Sequence, residues 1–166
     1  MRRLETPHEM GNRLFRCRGP AAVGPQPGAR ENDRMMPPEK QPHSAFSSLL
    51  GFVVEDAGEG YATMSCGWQP AFENMSGVAH GGVAAALMDT ACGVALTTDA
   101  DGVRQGRALT VSFTLSYLGA FREGTVRCEA RVVGGGRKLQ TVEARVIGSD
   151  GSTVIALGHG VFRRIG

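Results

Sequence analysis

Asp89 is the only charged residue between Gly82 and Leu96, a stretch otherwise built of Val, Ala, Leu, Met, Thr, Cys and Gly. A helix that is apolar on every face is normally buried on every side, and an unpaired carboxylate moved out of water costs several kcal/mol. Such a residue is either satisfied by a structural network or kept for chemistry. In an apolar setting a carboxylate can activate water as a general base or attack a carbonyl carbon itself. The start of the same helix, His80-Gly81-Gly82, offers the complementary groups. Its first N–H groups have no acceptor within the helix, sit at the positive end of the helix dipole, and can hold negative charge developing on a carbonyl oxygen. Glycine at those positions lets a substrate approach the backbone closely.

Spacing sets a condition on that pairing. Gly81 and Asp89 are eight residues apart, roughly 12 Å along one helix axis, and the lean of the Asp89 side chain toward the helix N-terminus recovers only part of the gap. One carbonyl group therefore cannot easily touch both. Two copies of the helix running antiparallel across a subunit interface would bring Asp89 of each chain to the Gly81 end of the other. The expected unit is a homodimer with two sites.

The elements that must position these residues follow from periodicity. In Ala108–Leu118 the residues Leu109, Val111, Phe113, Leu115 and Tyr117 alternate with Thr110, Ser112, Thr114 and Ser116, which reads as a strand with one buried face. Three more strands are expected near 125–133, 137–147 and 153–163. They are separated by Gly134-Gly135-Gly136 and by Gly148 to Gly151, both short enough for antiparallel hairpins. Before the helix, Phe52–Glu55 and Tyr61–Trp68 form another hairpin, and Ser44 caps a short helix running to Leu50. The fold class is α+β, one antiparallel sheet covering one apolar helix.

With 166 residues, 42% of them hydrophobic and 20% charged, the chain suits a single domain with a real core. Residues 1–43 hold 8 basic and 5 acidic side chains and seven of the eight prolines, leaving 10 basic against 11 acidic in residues 44–166. The first segment reads as a Pro/Arg-rich unstructured extension and the second as the domain. Glu5, Glu9, Glu31 and Asp33, with no apolar stripe, speak against a transit peptide; Met35 or Met36 reads as the working initiator. The near-neutral domain excludes a nucleic-acid binder that relies on a basic face. With no long apolar run and no signal peptide, the expected setting is the cytoplasm, away from membranes. The cysteines at 17, 66, 92 and 128 lack metal-ligand spacing and read as reduced fillers, so neither metal nor cofactor is expected. Gly134-Gly135-Gly136-Arg137-Lys138 lacks the spacing of a phosphate-binding loop and reads as a turn; the sequon Asn74-Met75-Ser76 has no meaning without secretion.

Taken in order, Asn74, Gly77, His80-Gly81-Gly82, Leu87-Met88-Asp89, Leu109 to Phe113, Gly136-Arg137-Lys138-Leu139 and Ala156 with Gly158 resemble the hotdog-fold acyl-CoA thioesterases. The match is to the phenylacetate-pathway (PaaI-like) type of the 4-hydroxybenzoyl-CoA thioesterase superfamily. The resemblance covers about residues 44–166, and Asp89 places the chain in the aspartate rather than the glutamate group. It implies an antiparallel sheet wrapped around one long helix, a homodimer that pairs further into a dimer of dimers, and hydrolysis of an acyl- or aryl-acyl-CoA. It also implies that Asn74 holds the thioester oxygen or the attacking water, that His80 braces the loop, and that Thr110 orients water beside Asp89.

From the residues themselves, Asn74 and His80 serve equally well as turn-satisfying groups, and Thr110 equally well as an ordinary sheet threonine. Arg137 and Lys138, with Arg163 and Arg164, are candidates for the phosphates of coenzyme A. Phe46, Leu49, Leu50, Phe72, Met75 and Met88 are candidates for an apolar acyl slot. His159 reads as structural. The alternative is a hotdog protein that binds acyl-CoA without cleaving it; a hotdog hydratase would need a different Asp and His pair, which the sequence lacks.

Overall fold

The computed structural model describes residues 44–165; the expectations for residues 1–43, Cys17 included, lie outside them. Ser44 caps helix α1 (Ala45–Leu49) by accepting a hydrogen bond from the Ser47 N–H at 3.1 Å. Strands β1 (Phe52–Gly58) and β2 (Tyr61–Gly67) form the first hairpin, a 3-10 turn spans Pro70–Phe72, and helix α2 runs from Gly81 to Thr97. Strands β3 (Arg107–Tyr117), β4 (Thr125–Gly135), β5 (Leu139–Ile147) and β6 (Val154–Ile165) complete the domain. The order of elements is the expected one, and strand ends lie within a few residues of the positions that periodicity indicates.

All pairings are antiparallel, in the spatial order β1-β2-β4-β5-β6-β3. The chain leaves β2, runs through α2 across one face of the sheet, and lays β3 down at the far edge beside β6. It then returns to place β4 next to β2. Side chains alternate along every strand, and the inward set is largely small or medium-sized: Ala62, Met64 and Cys66 on β2, Cys128 and Ala130 on β4, Val142, Ala144 and Val146 on β5. These close on Leu87, Met88, Ala91, Cys92, Val94 and Ala95 of α2, all buried.

Strand β6 carries glycine on its inner face, where neighbouring side chains leave no room for a Cβ. A Cβ on Gly158 would come within 2.8 Å of Met88 Cε, and one on Gly160 within 2.5 Å of the Phe113 ring. The buried thiols fit the same small-residue packing, and Cys66, Cys92 and Cys128 are free. Burial pushes the Cys66 thiol up to about 12; Cys92 reaches about 12 through burial and, secondarily, the charge of Asp89.

One expectation about β3 is corrected. The alternation placed Leu109, Val111, Phe113, Leu115 and Tyr117 on one buried face, but the register with β6 shifts between Thr110 and Ser112. Val111 is the extra residue of a bulge, which flips the phase of the strand. Leu109 is left 53% and Val111 60% exposed, while Phe113 packs edge-on to Phe162 beyond the bulge.

Helix α2 is not covered on every side either. Gly82, Ala85, Ala86, Asp89, Thr90 and Gly93 form an open, partly exposed stripe along it. Among the described residues, no helix is long and apolar enough to cross a membrane.

Candidate active site

The open stripe of α2 and the edge strand β3 together build the site. Before its bulge, β3 turns Ala108 and Thr110 toward the helix. A Cβ on Gly93 would meet that of Ala108 at 3.9 Å, and the Thr110 hydroxyl donates to Asp89 Oδ1 at 2.6 Å. Hydroxyl-to-carboxylate bonds of this length are among the stronger ones. The other oxygen, Oδ2, makes no hydrogen bond among the described residues, and Asp89 lines a cleft of about 160 Å³ together with Thr90, Gly93, Arg104, Ala108, Thr110 and Phe162. Asp89 is half-buried, so a wet stripe and a hydroxyl donor are what let an otherwise apolar helix carry the charge.

At the other end of the stripe, His80 is the N-cap of α2, and its Nδ1 accepts the Gly82 N–H at 2.9 Å. A neutral imidazole that accepts at Nδ1 carries its proton on Nε2. Of the two expected backbone donors, Gly82 is therefore engaged within the loop, and Gly81 presents an N–H with no acceptor among the described residues. The loop before it is tied down by backbone bonds from His80 N–H to Phe72 O at 2.7 Å and from Ala79 N–H to Phe121 O at 2.8 Å. Asn74 Oδ1 accepts from the N–H groups of Ser76, at 2.8 Å, and Val78, at 3.5 Å. This commits its oxygen to the turn and leaves Nδ2 as a donor.

Two of the slot candidates lie in the core. Met88 is fully buried and Phe72 is 4% exposed, so both belong to the core between helix and sheet. Helical position explains Met88, which points at β6 while Asp89, one residue on, points away from the core. Phe46, Leu49 and Met75 are exposed. Arg137 and Lys138 lie exposed in the turn between β4 and β5. The Lys138 carbonyl accepts from Arg164 N–H, and Arg163 pairs with Leu139 and Leu109. The four cations thus share the sheet corner that carries Thr110, although none lines the Asp89 cleft.

Arg104 and Tyr117 were missed. Arg104 sits in the loop after α2, where no periodicity or spacing marks it; its guanidinium contacts Thr97 Oγ1 at 3.4 Å, and burial holds its pKa below the usual arginine range. Periodicity presents Tyr117 as one more alternating apolar residue, yet its hydroxyl donates to the Gly81 carbonyl at 3.1 Å.

A larger concavity of about 770 Å³ lies on the opposite face of the sheet, lined among others by Glu129, Arg131, Glu143, Arg145 and His159. It contains none of the expected residues, and its charges are partly matched to one another, Glu129 pairing with Arg127 and Arg145 at 2.7 Å each. His159 is exposed there.

Comparison with known proteins points one way. The family profile of the thioesterase superfamily matches residues 76–155. A curated relative from Halobacterium salinarum, named as a candidate esterase, is 32% identical over 124 residues, covering 70% of this chain and 82% of the relative. Among solved structures, a conserved protein of Pseudomonas aeruginosa superposes with a TM-score of 0.67 at 34% identity, covering 74% of this chain and 94% of that one. The E. coli PaaI protein of the phenylacetic acid degradation operon does so with 0.66 at 25% identity, covering 75% and 86%.

Proposed function

The chain belongs to the thioesterase superfamily with the hotdog fold, and from that premise we propose that it hydrolyses the thioester of an acyl- or aryl-acyl-CoA. The observation that carries the reading is the Thr110–Asp89 bond. It fixes one carboxylate oxygen at 2.6 Å in a residue that lines a cleft on the open side of α2, and leaves the other oxygen without a hydrogen bond among the described residues.

In this reading Asp89 activates water, or attacks directly, at the thioester carbonyl carbon. The negative charge that develops on the carbonyl oxygen is held by the Gly81 N–H and by Asn74 Nδ2. Collapse of the tetrahedral adduct expels the CoA thiolate, which takes up a proton; it leaves the free acid when water attacked, and when Asp89 attacked it leaves a mixed anhydride on Asp89 that water then hydrolyses to the free acid. When water is the nucleophile, its proton passes to Asp89. His80 holds the first turn of α2, and Arg137, Lys138, Arg163 and Arg164 meet the phosphates of CoA. The reaction as written needs no cofactor.

Asp89 and Gly81 are eight residues apart along the helix, roughly 12 Å, so each site takes its carboxylate from one subunit and its oxyanion donors from the other. Support for the dimer comes from β3. Its outer edge is unpaired among the described residues, and it exposes Leu109, Val111 and Tyr117 together with the adjoining Leu118. Long apolar edge strands are ordinarily covered.

The test is a panel of short, medium, long and aromatic acyl-CoAs, with thiol release as the readout and Asp89→Asn as the control. Turnover by the wild type and its loss in a folded Asp89→Asn protein are expected. Absence of turnover across the panel would overturn the reading, and saturable binding without turnover would identify the protein as an acyl-CoA binder instead.

A further inference from the structure

Gly81 does not need to be glycine for the sake of its backbone, because its φ lies outside the left-handed region that glycine favours. What crowds a side chain there is Tyr117. A Cβ at position 81 would stand 3.0 Å from both Cε1 and Cζ of the tyrosine ring and 3.2 Å from its hydroxyl, closer than ordinary van der Waals contact. The same hydroxyl donates to the Gly81 carbonyl at 3.1 Å. The first residue of α2 is thus held in two ways by one side chain, by contact from the ring and by direction from the hydroxyl. Helix termini fray unless they are tied down, and an N–H that stabilises a developing charge is effective only when it is already in place.

Tyr117 is 53% exposed, so the fold does not depend on it for core volume. It stands at one end of β3, and Thr110 stands near the other. A single strand therefore touches α2 at both functional points, through Thr110 at Asp89 and through Tyr117 at Gly81.

We propose that Tyr117 is a positioning residue for the Gly81 donor, locking the first turn of α2 so that the Gly81 N–H is aimed before substrate arrives. The inference rests on the thioesterase reading and adds to it a residue that acts through Gly81. In the dimer, the Gly81 and Asp89 of one chain serve different sites, so β3 links the oxyanion side of one site to the carboxylate side of the other.

The test uses full-length protein and the best acyl-CoA of the panel. Tyr117→Phe keeps the ring over Gly81 and removes only the hydroxyl, so the fold is preserved. The expectation is a fall in kcat of about fivefold, the scale of one neutral hydrogen bond, with KM and melting temperature near wild type. Gly81→Ala should lower kcat further, because the added methyl and the ring are forced apart. In Gly81→Ala/Tyr117→Ala the ring is gone, and the double variant should be more active than the product of the effects of Gly81→Ala and Tyr117→Ala measured singly.

Wild-type kcat in Tyr117→Phe would overturn the proposal, as would a loss confined to KM or one that tracks a fall in melting temperature. Strict additivity in the double variant would also overturn it. If the wild type turns over substrate and Asp89→Asn does not, these failures leave the thioesterase reading standing. If the wild type is inactive across the panel, both fall together.

Discussion

Asp89 receives one strong hydrogen bond and keeps one oxygen for the cleft, so the two residues of that bond make separable predictions. Asp89→Asn or Asp89→Ala should lower turnover on the order of a hundredfold or more while the protein stays folded, as steady-state kinetics with circular dichroism will show. Thr110→Val removes the donor but keeps the shape. A hydrogen bond to a charged group contributes about 1.5–3 kcal/mol, so the loss in kcat should be roughly ten- to hundredfold, smaller than that of Asp89→Asn. The thiols are a different case, since nothing in the proposed chemistry uses them. Cys66 and Cys92 are pushed from 9.0 to about 12 by burial, so the native state holds its thiol protons more tightly than the unfolded chain does. Their contribution to stability is fully present below pH 9 and is lost as pH rises toward 12. A Cys17→Ser protein should accordingly react very slowly with a thiol reagent at pH 8 until it is denatured, and its melting temperature should fall as pH is raised above 9.

At the scale of elements, two irregularities on neighbouring strands shape the site. The bulge at Val111 turns Thr110 inward, where a regular strand would have presented Leu109 and Val111 to the helix. The glycines of β6 let the sheet close on α2 and give the Phe113 ring its place. Gly160→Ala would set a Cβ 2.5 Å from that ring and 2.7 Å from the Ser112 carbonyl oxygen, and the backbone oxygen cannot swing aside. Overpacking of this kind costs about 1–3 kcal/mol, measurable as a lower urea midpoint. Because Ser112 adjoins the bulge, activity should fall along with stability.

At the scale of the whole molecule, the proposed sharing of residues between subunits predicts complementation. Asp89→Ala chains lack the carboxylate. Gly81→Pro chains lack the backbone N–H, keep a residue tolerated at the first helical position, and place a Cβ against Tyr117. Each homodimer should be nearly inactive. In a mixed dimer one site inherits both defects and the other neither, so activity should return toward half of wild type per heterodimer. Confirmed heterodimers as inactive as their parents would show that the two groups do not cooperate across an interface.

The sequence by itself determined the elements and their kinds, because hydrophobic period, caps and turn glycines are local signals: Ser44 as a cap, α2 as one apolar helix, and the strands of β3 to β6. It also marked Asp89, since one charge in an apolar run stands out without any knowledge of its neighbours. What it could not carry was phase and facing. The bulge that aims Thr110 arises from pairing with β6, the strand order from a crossover of α2 to the far edge, and the core positions of Met88 and Phe72 from the way helix and sheet meet. Tyr117 and Gly81 are 36 residues apart, and no periodicity links them. Only the tertiary structure brings that hydroxyl to that carbonyl, because contact between distant residues is decided by packing of the whole domain and not by the segments that hold them.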